Sequence, residues 1–506
     1  MLRSMICAVL AVLTLSVTTA RAQETRAQVH DGALRGVTQD GVRAFLGVPY
    51  AAPPVGPLRW RAPQPAAHWR GVRDATQFAP SCMQADSPNG YLPWTPEYYP
   101  HVGSSEDCLY LSIWTPSADA HARLPVILWI PGGAFRNGGS AVPVNNGAGL
   151  ARQGIVVVTI NYRVGAFGFL AHAALEHEAD GTVGNYGFRD AIAALQWVRA
   201  NIAAFGGDPR RVTVAGQSAG AQMVTALLTA PSARGLFVRA IAQSSPPGAR
   251  PATDAAHALA WGAHFGEEMH ASTAAALRAL PADALLAASD RLGNFGPYVD
   301  GLLIPEAPGA AFHAGHDTDV PLLVGITAQE GRPSVTLDQY RHDAPQRAAV
   351  YPATNDEEAV EGVRSADRDV ARLGLERLAA ARARTGHAPL YLYIWSHAEP
   401  GPDAARYGAF HSSEMPYMFG SFGAAPARGF TDDDRAISAR MLRYWSNFVK
   451  TGDPNDDALP AWPPADGGAP VFMELGEHWA PYAPKSAAQR ALAEETLAAV
   501  PDVFAF

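Results

Sequence analysis

The chain has 506 residues, 48% of them hydrophobic and 17% charged, with a formal net charge of −9. It can bury a large core, and its 47 glycines and 41 prolines are too few for a collagen-like or linker-rich polymer. Its cations are nearly all arginine, Lys450 and Lys485 being the only lysines, and no basic run suits a phosphate backbone, so no nucleic-acid partner is implied.

The first element is Met1-Leu2-Arg3, an apolar run from Met5 to Val17, and Ala20-Arg21-Ala22 before Gln23. A positive start, a short apolar core and a small-x-small site read as a secretory signal peptide cleaved after Ala22, because the run is too short to span a bilayer. Cleavage would remove two arginines and take the net charge from −9 to −11. Cys7 would leave with the signal, so the mature chain keeps Cys82 and Cys108, which are expected to pair in an oxidising compartment. Such a bridge would add about 3.5 kcal/mol through the unfolded state. No later stretch is apolar enough to span a membrane and no Asn-x-Ser/Thr sequon occurs. The expectation is a secreted or periplasmic protein whose oligomeric state is left open.

Strands are predicted at Leu124 to Ile130, Gly154 to Tyr162 and Arg211 to Gly216, continuous apolar runs that suit strands buried on both faces. Between the last two, Asp190 to Phe205 places Ile192, Leu195, Trp197, Val198, Ile202 and Phe205 mostly at helical spacing, and Gly206 to Pro209 is read as the stop and turn. Strand, helix, strand in alternation points to an α/β architecture. The Ala-rich stretches 251–288 and 357–384 read as helical insertions above the sheet. With no hinge composition or fixed-period repeat, one domain over 23–506 is expected.

Residues 216–220 read Gly-Gln-Ser-Ala-Gly between the third strand and an apolar helix. This is the pattern of a nucleophile elbow, whose glycines are expected to permit a sharp, strained turn exposing the Ser218 oxygen. In so Gly-rich a chain the pentapeptide alone is unspecific; its strand-to-helix setting raises its weight. A serine needs a histidine to take its proton and an acid to orient that histidine. The order Ser, acid, His admits every histidine after 218, and spacing alone does not choose among them.

The chain resembles the type-B carboxylesterase and lipase family, which includes the cholinesterases. The likeness rests on Phe45 to Tyr50, Pro53 to Gly56, Leu58 to Trp60, Glu106 to Leu111, Asn161 to Arg163, Gly184 to Gly187, Asn201 to Pro209, Tyr444 to Phe448 and Lys450 to Asn455. It implies an α/β-hydrolase fold, a mostly parallel central sheet flanked by helices, and hydrolysis of small-molecule carboxylic esters through an acyl-enzyme. Carried over by motif, it assigns the acid to Glu330 and the base to His411. It builds an oxyanion hole from the amides of Gly133, Ala134 and Ala219, and pairs Cys82 with Cys108 across a loop over the entrance. It also suggests an ion pair between Arg59 and Glu106 and a serine, Ser244, near the triad. No metal or organic cofactor is implied, since His-Glu-x-x-His, Walker and dinucleotide fingerprints are all missing.

Departures bear on specificity. Pro131 replaces a usual His or Tyr before the glycines, and Gln217 replaces a usual Glu beside the serine. By counting from either cysteine no Trp falls at the choline-stacking position, and Arg291 and Gly293 align where cholinesterases narrow the acyl pocket. Other readings are the same chemistry on an amide, carbamate, polyester or toxin ester, and a non-catalytic binding protein that keeps the fold.

Overall fold

The computed structural model describes residues 23–178, 182–331, 333–386, 388–465, 470–500 and 502–504; the predicted signal segment lies outside them. Thirteen strands form one sheet: β1 Gln23–Val29, β2 Gly32–Gln39, β3 Val42–Pro49, β4 Val72–Asp74, β5 Tyr110–Thr115, β6 Leu124–Ile130, β7 Val156–Ile160, β8 Gly207–Gln217, β9 Arg239–Gln243, β10 Leu322–Thr327, β11 Leu390–Trp395, β12 Phe472–Leu475 and β13 Ala480–Pro481. Their order is β1-β2-β3-β5-β7-β6-β8-β9-β10-β11-β12-β13, with β4 beside β2. Pairing is antiparallel from β1 through β7, parallel from β7 to β12, and antiparallel again at β13. The predicted strand Leu124 to Ile130 is reproduced end to end, and β6 and β7 are buried almost throughout because helices cover both faces.

The crossover helix α1, Tyr186–Asn201, begins four residues before the expected start and passes into a 3₁₀ turn at Ile202–Phe205. Gly206, at φ 79°, ends it in the left-handed region where glycine carries no penalty. Residues read as a turn after it belong instead to β8, whose register against β6 shifts between Gly207 and Val212, an irregularity that composition does not mark. Helix α2, Ala219–Thr229, follows β8 directly.

The first Ala-rich stretch is three helices, α3 Ala255–Glu268, α4 Ala274–Ala279 and α5 Ala282–Leu292. The second is one 30-residue helix, α6 Asp356–Thr385. It opens on three acidic residues capped by Asn355 and closes near Arg382 and Arg384, matching its dipole at both ends. No helix among the described residues is long and apolar enough to cross a membrane.

Candidate active site

Ser218 stands between the last residue of β8 and the first of α2, with φ 56° and ψ −123°. The sharp turn is therefore carried by the serine itself, a conformation costly for a residue with a Cβ. Gly216 and Gly220 are not in the left-handed region. They are glycines for another reason: a Cβ on Gly220 would lie 2.0 Å from the Ile130 carbonyl, and one on Gly216 would lie 2.5 Å from Gly220. The end of β6, the elbow and the helix start are packed backbone to backbone.

The same closeness brings the 131–135 loop to the serine. A Cβ on Gly132 would sit 3.1 Å from the Ser218 Cβ and 2.7 Å from the Gln217 carbonyl. Gly133, Ala134 and Phe135 have φ of 117°, 54° and 59°, so the loop coils on itself. Among the described residues the amides of half-buried Gly133 and exposed Ala134 have no hydrogen-bond acceptor, which leaves both donors available to a ligand. Tyr162 Oη donates to the Pro131 carbonyl at 3.1 Å, and Gln84 grips Gly138 at both its carbonyl (2.8 Å) and its amide (2.9 Å). Proline in place of the family's His or Tyr thus leaves the loop anchored, through its carbonyl.

Glu330 and His411 follow β10 and β11, and the Glu330 Oε2 and His411 Nδ1 atoms are directly hydrogen-bonded. The other Glu330 oxygen accepts from the Thr327 amide at 2.8 Å. The two loops are laced together by Gln329, whose amide donates to the Ala409 carbonyl at 3.0 Å and whose Oε1 accepts from the Ala409 amide at 2.7 Å. A carboxylate on Nδ1 leaves the imidazole lone pair on Nε2. That nitrogen lies 3.2 Å from Gln217 Nε2, the residue before Ser218. The serine hydroxyl makes no hydrogen bond to His411 in this structure; catalytic contacts of this kind often close only around substrate.

Trp94 lies edge-on to the His411 ring at 6.2 Å and donates from Nε1 to the His411 carbonyl at 2.8 Å. It belongs to the loop closed by the Cys82–Cys108 disulfide, which the structure contains. Arg59 and Glu106 pair at 2.6 Å at the base of that loop. Below the histidine, Glu414 is fully buried and accepts from Tyr393 Oη at 2.8 Å. Burial raises its carboxyl to about 7, against the lowering hydrogen bond from Tyr393, while the Glu330 charge pushes the same way as burial. Ser244 is buried at φ 55° and donates its amide to the Gly325 carbonyl at 2.8 Å. Arg291 is turned outward to Glu268, and Gly293 ends α5 and accepts from Trp261 Nε1.

A cavity of about 510 Å³ opens beside the His411 loop, with Leu92, Glu97, Glu399, Tyr407, Phe410 and Arg428 in its wall. The three proposed catalytic residues do not line it.

The profile of the carboxylesterase family matches residues 23–361 and 351–496. The chain belongs to the carboxylesterase family. It is 38% identical over 460 residues to the fumonisin B1 esterase of Sphingopyxis macrogoltabida, covering 85% of this chain and 83% of that protein. It is 35% identical to the para-nitrobenzyl esterase of Bacillus subtilis (85% and 91% covered) and 35% identical to the phenmedipham hydrolase of Pseudarthrobacter oxydans (89% and 94% covered). A solved PNB esterase superposes with a TM-score of 0.78 at 31% identity, over 93% of this chain and 99% of that one. The fold is accordingly that of the α/β hydrolases, and the protein is a carboxylic ester hydrolase. As a carboxylesterase it takes small-molecule esters.

Three site neighbours escape a reading of the sequence. Gln329 reads as a loop residue next to the acid, Trp94 is set aside by counting along its loop, and Glu414 reads as part of the histidine motif. Gln217 alone carries a signal, its departure from the family's glutamate.

Proposed function

We propose that this carboxylesterase works by acyl transfer through Ser218, His411 and Glu330. Ser218 Oγ attacks the ester carbonyl while His411 Nε2 takes its proton, and Glu330 on Nδ1 stabilises the imidazolium. The amides of Gly133, Ala134 and Ala219 receive the developing oxyanion, a role worth about 3–4 kcal/mol for a single donor. His411 then protonates the leaving alcohol, and water repeats the sequence on the acyl-enzyme. The observation that carries this reading is the direct Glu330–His411 contact on a loop pair whose imidazole reaches the elbow at Gln217. The unpartnered Gly133 and Ala134 amides, on the loop whose Gly132 packs against Ser218, support the oxyanion assignment.

The mature enzyme is read as one domain over 23–506, exported after cleavage at Ala22; the disulfide and the signal-like N-terminus support export. Gln217, a neutral amide beside the nucleophile, fits uncharged esters better than cationic ones. Relatives named for fumonisin B1 and para-nitrobenzyl esters make bulky carboxylic esters the substrates to screen first. Ser218→Ala is expected to lower turnover of an aryl ester by about 10⁴-fold or more with the fold intact. It should also abolish the mass shift from a phosphonate probe. Turnover within tenfold of the parent, or labelling that survives, overturns the assignment.

A further inference from the structure

We infer that His30, Asp31 and His68 form a divalent transition-metal site that takes Zn²⁺ and clamps the N-terminal hairpin to the loop before β4. One ligating atom from each of the three residues lies within 4.8 Å of the others. His30 Nδ1 is 3.2 Å and His68 Nδ1 3.6 Å from the same atom, Asp31 Oδ1. Bonds of 2.0–2.1 Å around a tetrahedral zinc put neighbouring ligand atoms about 3.4 Å apart. Both distances fall near that edge, and the longer one is too long for a hydrogen bond. The two imidazole rings stand 5.0 Å apart and tilted, so neither blocks the other's nitrogen.

The ligands come from a scaffold that is already fixed. His30 and Asp31 are the two turn residues joining β1 to β2, held in register by the Val29–Gly32 pair. The His30 amide donates to Asn201 Oδ1 at the end of α1 at 2.9 Å. His68 is adjacent to Trp69, whose amide donates to the Asp31 carbonyl at 2.9 Å and whose Nε1 donates to the Ala33 carbonyl at 2.8 Å. A Cβ on Gly32 would lie 2.4 Å from that indole, so the loop sits tightly on the turn. Asp31 is mostly shielded, with 13% of its side chain exposed, while both histidines face solvent. Two imidazoles and one carboxylate suit zinc, nickel or copper and not calcium or magnesium. Three protein ligands leave a fourth position to water.

The hairpin begins immediately after the expected cleavage site and supplies the edge of the sheet, so the metal would pin the new N-terminus. The ligands lie in the turn between β1 and β2 and in the loop before β4, apart from the residues placed in catalysis, so ester turnover should not depend on the metal.

The test is calorimetric titration of the chelator-treated full chain with Zn²⁺ at about pH 7.5. One equivalent bound at micromolar affinity is expected. His68→Ala and His30→Gln should each weaken binding at least tenfold while esterase turnover and metal-free melting stay unchanged. Co²⁺ in place of Zn²⁺ should give the visible absorption of a tetrahedral ion, lost in both variants. No saturable binding, or an affinity that either variant leaves unchanged, overturns the site.

Discussion

Ser218 and the glycine loop facing it are held by backbone packed on backbone, whereas Glu330 and His411 sit on two loops held by side chains. On the first side, a Cβ at Gly216, Gly220 or Gly132 would meet main-chain atoms at 2.0–2.7 Å, and nothing there has a flexible end that could give way. On the second side, Gln329 bonds to Ala409, Trp94 bonds to the His411 carbonyl, and Glu414 and Tyr393 lie beneath. Main-chain contacts tolerate almost no added volume, while side-chain contacts can loosen by degrees. The two halves should therefore fail differently when altered.

The largest effect is expected from Gly220→Ala. Its Cβ would have to displace the Ile130 carbonyl from 2.0 Å, moving the end of β6 together with the loop after it. Destabilisation on the order of 3 kcal/mol is expected from overpacking, with turnover reduced far more than a surface change would produce. Thermal melting and aryl-ester turnover measured together check this; an unshifted melting temperature with full turnover would show that the backbone half is softer than its geometry.

Gln329→Leu probes the other half and should act more gently. It removes the acceptor for the Ala409 amide, a buried donor then left unpaired at a cost of about 1–3 kcal/mol. The Gln329 amide still reaches the Ala409 carbonyl, so the loops should stay near each other. Turnover should drop by roughly tenfold to a hundredfold through misplacement of the imidazole, chiefly in kcat with KM little changed. Gln329→Glu, which keeps an acceptor, should recover most of it. Equal losses in both variants would mean that Gln329 serves only stability.

The same division explains what was legible in the residues. The elbow reads directly, because strand, pentapeptide and helix are contiguous and glycine spacing reports close packing, although the strain proves to lie on Ser218 and not on its neighbours. Glu330 and His411 are 81 residues apart and join only through folding, so they emerge from family likeness and not from spacing. Trp94 and His411 are 317 apart, and counting along a loop says nothing about which ring it delivers. The early strand in β8 escapes for a related reason: Gly207, Asp208 and Pro209 compose a turn, yet β6 alongside pairs with Gly207.

The last effect, read in stability alone and specific to the side-chain half, concerns pH. Glu399 is 2% exposed, accepts from Tyr98 Oη, and has Arg428 Nη1 at 3.2 Å. Burial raises its carboxyl from 4.5 to about 8, even though Arg428 and the Tyr98 hydrogen bond pull it down. The folded state therefore holds a proton that the unfolded chain has released. The resulting stabilisation is full below about 4.5 and is lost as pH rises through about 8. Glu414, raised to about 7, acts in the same sense, and Asp434, lowered to about 2, acts only in acid, below the ordinary aspartate range. Between pH 5 and 8 the parent enzyme should lose stability from these two glutamates. Glu399→Gln, which keeps the shape and cannot ionise, should roughly halve that fall while leaving the acid limb unchanged. Melting temperatures across this range check it, and a slope identical to the parent's would show that Arg428 keeps Glu399 ionised in the fold.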